Sequence, residues 1–293
     1  MIAAISMDRR AVFDRATTLL VGRLSEDDMD RRSAVAVLLV VLVLLSGCSA
    51  FLGGNGDGNG AENGGNGNGA SDPSTFDYAD GYGPDGVVDG EAAVRSHRSG
   101  VIERGSYTGA YTYTIDRTDG SVVTDVKHRV DFQTEEGFQR AEFDSPNVAG
   151  VVRVYRDSDT RYERQEINNQ TSVNSSELSF DARNLTATEP VRPLLENVSE
   201  YETSIEERQG ETVVVYEKTD ADGIDSFLVV NESTDVDSFD ATMAVDGDGV
   251  VRSASYEVVY TTDGGDQRTL TVEYQLTAFG ETSVDRPAWT DDA

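Results

Sequence analysis

The chain has 293 residues, of which 54 are acidic and 24 basic, for a net charge of −30, with one cysteine and two histidines. That balance lacks the clustered Lys and Arg needed to neutralise phosphates, which excludes nucleic acid as a partner, and one cysteine excludes an intrachain disulfide framework. The acidic excess lies wholly in the later part: residues 1–47 hold six Arg against six Asp or Glu, leaving 48 acidic and 18 basic residues beyond them. Only Lys127 and Lys218 are lysines. An acidic surface with so little lysine suits molar salt, where charges are screened over about 3 Å.

The first 28 residues fit poorly as targeting sequence, because Asp14, Glu26, Asp27 and Asp28 interrupt them. A start at Met29 removes the difficulty: Arg31 and Arg32 form a charged leader, Ala34 to Leu45 is a twelve-residue apolar run, and small residues follow. The run is short for a bilayer span. Residues 29–47 therefore read as a lipoprotein signal peptide. "LLSGC" has the form of a lipobox, with Gly47 giving a peptidase access to the backbone and Cys48 supplying the soft nucleophile for lipidation. Arg31-Arg32 before Ser33 also resembles a twin-arginine export signal, which serves proteins folded before export. Cys48 would thus hold the mature chain on the outer face of the cell membrane.

Between Gly53 and Gly69 nine residues are Gly and five are Asn, a composition without the material for a core. Residues 48–85 are read as a lipidated cysteine and flexible linker, with a reach of roughly 35 Å. Residues 86–293 are then one β-rich extracellular domain.

Within that domain Val94, Arg98, Val101 and Ile102 recur at helical spacing and predict a helix from about Gly90 to Glu103. Alternation follows: Tyr107, Gly109, Tyr111, Tyr113 and Ile115 share one face of a strand, and Val126, His128, Val130 and Phe132 one face of the next. Further strands are predicted at 137–143, 150–156, 161–167, 201–208, 212–218, 226–230 and 238–245, with a short helical turn near 190–199. "VVRSASYEVVY" aligns Ala254, Tyr256, Val258 and Tyr260. "TLTVEYQLTA" aligns Leu270, Val272, Tyr274, Leu276 and Ala278, with "DGGD" between the two as a hairpin turn. The order predicts an α+β, mainly antiparallel fold: one curved sheet, a half-barrel, whose concave face is covered by an N-terminal helix and a short mid-domain helix.

The lipobox, the glycine-rich spacer, the first helix, "VDGDGVVRSASYEVVY" and the ending "LTVEYQLTAFGETSVDRPAW" together resemble a family of haloarchaeal surface lipoproteins. The strand and helix order is similar to half-barrel lipid carriers of the LolA and LppX type, which hold acyl chains between a curved sheet and its helices. That resemblance implies an apolar or lipid ligand.

Chemistry is sparse. His97 and His128 are the only histidines, no HExxH or G-x-S-x-G is present, and Cys48 is committed to lipid. No catalytic residue, metal site or cofactor is expected. His128 on an apolar strand face reads as a core histidine, and His97 as lying on an exposed or flanking side of the first helix. "DADGID" at 220–225 and "DGDG" at 246–249 lack the twelve-residue loop of an EF-hand and read as tight turns. Asn169, Asn174, Asn184, Asn197 and Asn231 each begin an N-x-S/T sequon, where about one or two would arise by chance among so few Asn, and they are candidate N-glycosylation sites. The reading is a non-enzymatic, membrane-anchored extracellular lipoprotein that binds an apolar ligand. The alternative is a structural or protein-interaction lipoprotein of the envelope with a filled core.

Overall fold

The computed structural model describes residues 73–198, 200–208, 210–222, 224, 235–262 and 264–293. The predicted strand at 226–230 therefore lies outside the described residues, as do the signal segment, Cys48 and most of the spacer.

Two short strands, β1 (Tyr82–Gly83) and β2 (Gly86–Val87), precede helix α1 (Gly90–Glu103). Six strands then run as a meander: β3 (Ser106–Arg117), β4 (Gly120–Asp131), β5 (Glu136–Asp144), β6 (Ala149–Arg156), β7 (Thr160–Ile167) and β8 (Gln170–Glu177). An irregular stretch leads into helix α2 (Arg192–Asn197). A second meander comprises β9 (Glu202–Arg208), β10 (Glu211–Lys218), β11 (Asp235–Asp246), β12 (Val251–Thr261) and β13 (Gln267–Thr277). These form one antiparallel sheet in the order β8-β7-β6-β5-β4-β3-β13-β12-β11-β10-β9. It is curved but not closed, an α+β half-barrel. The first strand of one meander pairs with the last of the other, so β3 and β13 form the centre while β8 and β9 are free edges.

Turn chemistry accounts for the meander. Asn168 and Asn169 both have positive φ in the two-residue loop closed by the Ile167–Gln170 pair, the backbone that a tight hairpin requires. Strand β8 was not among the predicted strands, since "QTSVNSSE" has no apolar alternation and all but Val173 of its residues are exposed. Ala278 does not extend the β13 face: the strand ends at Thr277, and Ala278 turns away with φ 53°.

Directly opposed residues share a face. One face gathers Tyr107, Tyr111, Val126, Val130, Val152, Val154, Tyr256, Val258, Val272 and Tyr274, all buried, and α1, α2 and the 182–190 stretch cover it. The opposite face is mainly Thr, Ser and charged residues. There Lys127, Arg140, Arg153 and Arg164 stand in one cross-strand row. Their repulsion is offset by Glu142 and Glu166 in the next row, 2.7 Å from Arg140 and 2.7 to 3.0 Å from Arg164 and Arg153.

The buried stripe of α1 is Ala92, Ala93, Val94, His97, Gly100 and Val101. Small residues allow close approach: a Cβ on Gly100 would lie 2.6 Å from Val250 Cγ2, and one on Gly90 2.5 Å from the Leu195 carbonyl of α2. Asp89 caps the helix, accepting from Ala92 N–H at 3.0 Å. Tyr82, assigned from composition to the linker, is buried, and Gly81 just before it accepts from Val88 and Asp89 N–H.

The "DGDG" turn between β11 and β12 is organised by the buried Asp246. One carboxylate oxygen accepts from Asp248 and Val250 N–H at 3.1 and 3.0 Å, the other from Arg104 at 2.8 Å and Arg252 at 3.3 Å. Those guanidiniums both lie over the Phe279 ring. Burial raises the Asp246 pKa, and Arg104, the turn amides and Arg252 pull it back. Asp246→Ala leaves two turn amides without their acceptor and takes one of two carboxylate partners from Arg104 and Arg252, which keep Asp248 and Glu211, and should cost about 2 to 3 kcal/mol, whereas Asp248→Ala, at a 72% exposed carboxylate, should cost under about 1 kcal/mol. Thermal melts of the two variants at one salt concentration should differ by several degrees, and equal melting temperatures would contradict this ranking.

Candidate functional site

The covered face is a layer of tyrosines, of which Tyr107, Tyr216 and Tyr256 spend their hydroxyls on backbone carbonyls of the segments above, while Tyr82 of β1 and Tyr201 before β9 also donate to buried carbonyls. Tyr107 donates to Leu185 O at 2.6 Å, Tyr256 to Pro190 O at 3.0 Å, Tyr216 to Gly83 O at 3.2 Å, Tyr82 to Gly249 O at 3.2 Å and Tyr201 to Leu194 O at 2.9 Å. Tyr111 accepts from Gln139 Nε2 at 3.3 Å. Burial pushes the Tyr82, Tyr107 and Tyr274 hydroxyls far above their ordinary pKa, so they stay protonated donors.

His97 is fully buried rather than flanking, which corrects the sequence expectation. Its Nδ1 accepts from Val251 N–H at 3.1 Å, so Nε2 carries the proton and donates to Thr186 O at 3.1 Å. The ring thereby ties α1 both to the sheet and to the 182–190 stretch. Its pKa is lowered to about 4 by burial, against the opposing pull of the Thr186 carbonyl.

His128 is a core histidine in position but is only half satisfied. Because Tyr107 gives its one proton to Leu185, His128 Nδ1 is the donor to Tyr107 Oη at 3.3 Å. Nε2 then presents a lone pair that has no partner. The ring sits edge-on to Tyr107 and Tyr111, with centroids 5.1 and 5.7 Å away, above Gly109. A Cβ at Gly109 would fall 2.1 Å from Nε2, so this glycine makes the space the imidazole occupies. Burial lowers the His128 pKa to about 4.

The Tyr274 hydroxyl is buried and likewise without a partner, and its electrostatic neighbours include Tyr107 and Tyr111, the rings that flank His128. Two buried polar atoms thus lie unspent around the same pair of tyrosines. Beyond them, toward β7, the covered face opens: Tyr113, Ile115, Gln139, Gly150, Gln165 and Ile167 are half-buried. Glu163 is buried there, bonded by Arg161 and Gln165 on its own strand. The arrangement is an apolar wall with a few fixed hydrogen-bonding groups. The opposite face carries a recess of about 450 Å³ edged by Thr112, Thr242, Ser253, Ser255, Gln275 and Arg208. Its lining mixes these hydroxyl, amide and charged groups, with Glu273 among them, and apolar surface from Ala110 and Ala254.

Among the described residues no group of three or more His, Cys, Asp or Glu is placed to hold a metal ion, and no helix is long and apolar enough to cross a membrane. Asn169, Asn174 and Asn184 are exposed and Asn197 is half-buried. Asn231 and Cys48 lie outside the described residues. His128 and Tyr274 were legible as face residues; their missing partners were not, since a partner's absence depends on what the cover brings.

Residues 33–293 match the model of a family of unknown function, DUF7537. The chain belongs to that family. No curated protein matches it. A LolA superfamily protein from Nitrosomonas europaea is similar over 69% of this chain and 96% of its own, at 10% identity and TM-score 0.25. An outer membrane lipoprotein-sorting protein domain from Vibrio parahaemolyticus is similar over 70% and 98%, at 10% identity and TM-score 0.26. A DUF1329 family protein from Desulfovibrio piger is similar over 68% and 95%, at 12% identity and TM-score 0.24. Superpositions at those scores carry no argument about function.

Both histidines are neutral in the folded DUF7537 domain, with pKa about 4, and would titrate near 6.5 when unfolded. Below pH 6.5 the unfolded chain binds more protons than the native one, so stability falls as pH drops from about 6.5 toward 4, by up to roughly 1.4 kcal/mol per pH unit per histidine. Chemical denaturation between pH 7 and 5 should show this loss, and His128→Leu should reduce the slope by about half. A slope unchanged by that substitution would mean His128 is not held neutral.

Proposed function

We propose that this protein is a lipid-anchored, outward-facing, non-enzymatic binding protein whose covered sheet face takes an apolar ligand with one hydrogen-bonding group. The observation that carries the proposal is the pair of unspent buried atoms, His128 Nε2 and Tyr274 Oη, beside an apolar wall that is only half-covered. An unpaired buried polar atom costs about 1 to 3 kcal/mol, a cost that a ligand hydroxyl or amide would relieve. Neutral His128 offers an acceptor and Tyr274 a donor, so a polar group of an otherwise apolar lipid meets both. Anchoring rests on the sequence around Cys48, which sets the lipid attachment after a signal peptide and before a glycine-rich spacer.

The second reading, a structural or interaction lipoprotein with a filled core, is favoured by the carbonyl bonds of Tyr107 and Tyr256 and by the His97 clasp, which hold the cover down on the central strands. The two readings separate in one experiment. The full chain carrying Cys48→Ser should be left as an unprocessed precursor or shed into the medium, and the shed chain, purified without detergent, should show by native mass spectrometry one bound amphiphile per chain. His128→Leu and Tyr274→Phe should each lower retention severalfold, the worth of one hydrogen bond of about 1 kcal/mol. A chain that purifies empty and takes up no fluorescent fatty-acid probe supports the filled core, and one retained in the membrane without Cys48 at the size of the native chain refutes the anchor.

A further inference from the structure

The two free edges of the sheet are unlike. Strand β9 is "ETSIEER", with Glu202, Glu206, Glu207 and Arg208 spaced along it, and such charges block pairing with another chain. Strand β8 is "QTSVNSSE", eight residues exposed along nearly their whole length, with a charge only at Glu177. In a chain that is 27% charged, the longer of the two edges carries a single charge, at its end. That edge also carries two sequons.

The structure separates by access the four sequons whose Asn is described. N-glycosylation needs a free Asn amide and a free hydroxyl two residues on. At Asn169, in the β7–β8 turn, both the Asn and Thr171 are exposed, and at Asn174 both the Asn and Ser176 are exposed. At Asn184 the Asn is exposed, but Thr186 is 1% exposed and bonded to Arg183 O and Thr188 beneath the cover. At Asn197 the amide Nδ2 is itself enclosed. Among the described residues, the two sequons on the β8 edge are the ones with both groups accessible.

We infer that Asn169 and Asn174 carry N-linked glycans, and that these glycans shield the β8 edge from pairing with a second chain. The donor is a polyprenyl-phosphate-linked oligosaccharide. The Asn Nδ2 forms a bond to C1 of the first sugar, the C1–O bond to phosphate breaks with its electron pair leaving on the phosphate, and Nδ2 gives up one proton. A glycan in the turn and another at mid-strand take the place that Glu and Arg hold on β9. The inference depends on the export reading of Cys48 and is independent of any ligand.

Intact-mass and glycopeptide analysis of the native full chain tests the sites and, in the same sample, processing at Cys48. Glycans at Asn169 and Asn174, with Asn184 and Asn197 bare, are expected. A processed chain bare at Asn169 and Asn174, or one modified at Asn184 or Asn197, overturns the assignment while leaving export intact; an unprocessed bare chain overturns both. Shielding is tested with Thr171→Ala and Ser176→Ala together, which remove the sequons but keep both Asn. Sedimentation of this detergent-solubilised chain in molar salt should show a concentration-dependent doubling of molar mass absent from the native chain, and adding Val173→Lys should abolish it. Persistence of the monomer without glycans, or association that Val173→Lys does not reverse, overturns the shielding role.

Discussion

A hydroxyl from the sheet meeting a carbonyl from the cover is the interaction on which this fold depends. The segments above the tyrosine layer include the irregular 182–190 stretch and the end of the two-residue strand β1, where buried carbonyls draw donors from outside their own segment. Tyr107, Tyr216 and Tyr256 supply the missing donors from the sheet at Leu185, Gly83 and Pro190. Phenylalanine would fill the same volume and leave each carbonyl unpaired. The ring therefore serves the packing of the sheet and the hydroxyl serves the placement of the cover, and this division explains why the face is rich in Tyr where an ordinary core would be rich in Leu and Phe.

The same division explains where a ligand would bind. Once the hydroxyls that meet the cover are spent, Tyr274 and the Nε2 of His128 remain, clustered around Tyr107 and Tyr111. Gly109 is part of this arrangement, because its missing Cβ lets the Nε2–Cδ2 edge of the imidazole come close to the central strand. His97 fixes the other side by joining α1, β12 and the 182–190 stretch through both ring nitrogens. The polar side chains of the covered face thus divide into those that hold the cover and those left to meet something under it.

Alternation made the central strands and the first helix legible, because Tyr, Val and Leu recur there at periods the backbone imposes. The meander order followed from the turns. What alternation could not give was the inward stripe of α1: it runs through Ala93, His97 and Gly100, residues that read as small or polar in isolation and become interior only because the sheet approaches closely. Strand β8 escaped for the opposite reason, having no buried face to impose a pattern. The tyrosines of the site were visible as face residues, but whether each hydroxyl had a partner depended on contacts 66 to 133 residues away in the chain, as at Tyr256 and Tyr216.

The division between clamping and unspent hydroxyls is tested most directly by hydrogen exchange on Tyr107→Phe and Tyr256→Phe together, compared with Tyr274→Phe. If sheet hydroxyls hold the cover, the double variant should lose protection across residues 182–197 while β3, β12 and β13 keep theirs, and Tyr274→Phe should leave the cover as protected as before. Unchanged protection of 182–197 in the double variant, or an equal loss in Tyr274→Phe, would contradict the account.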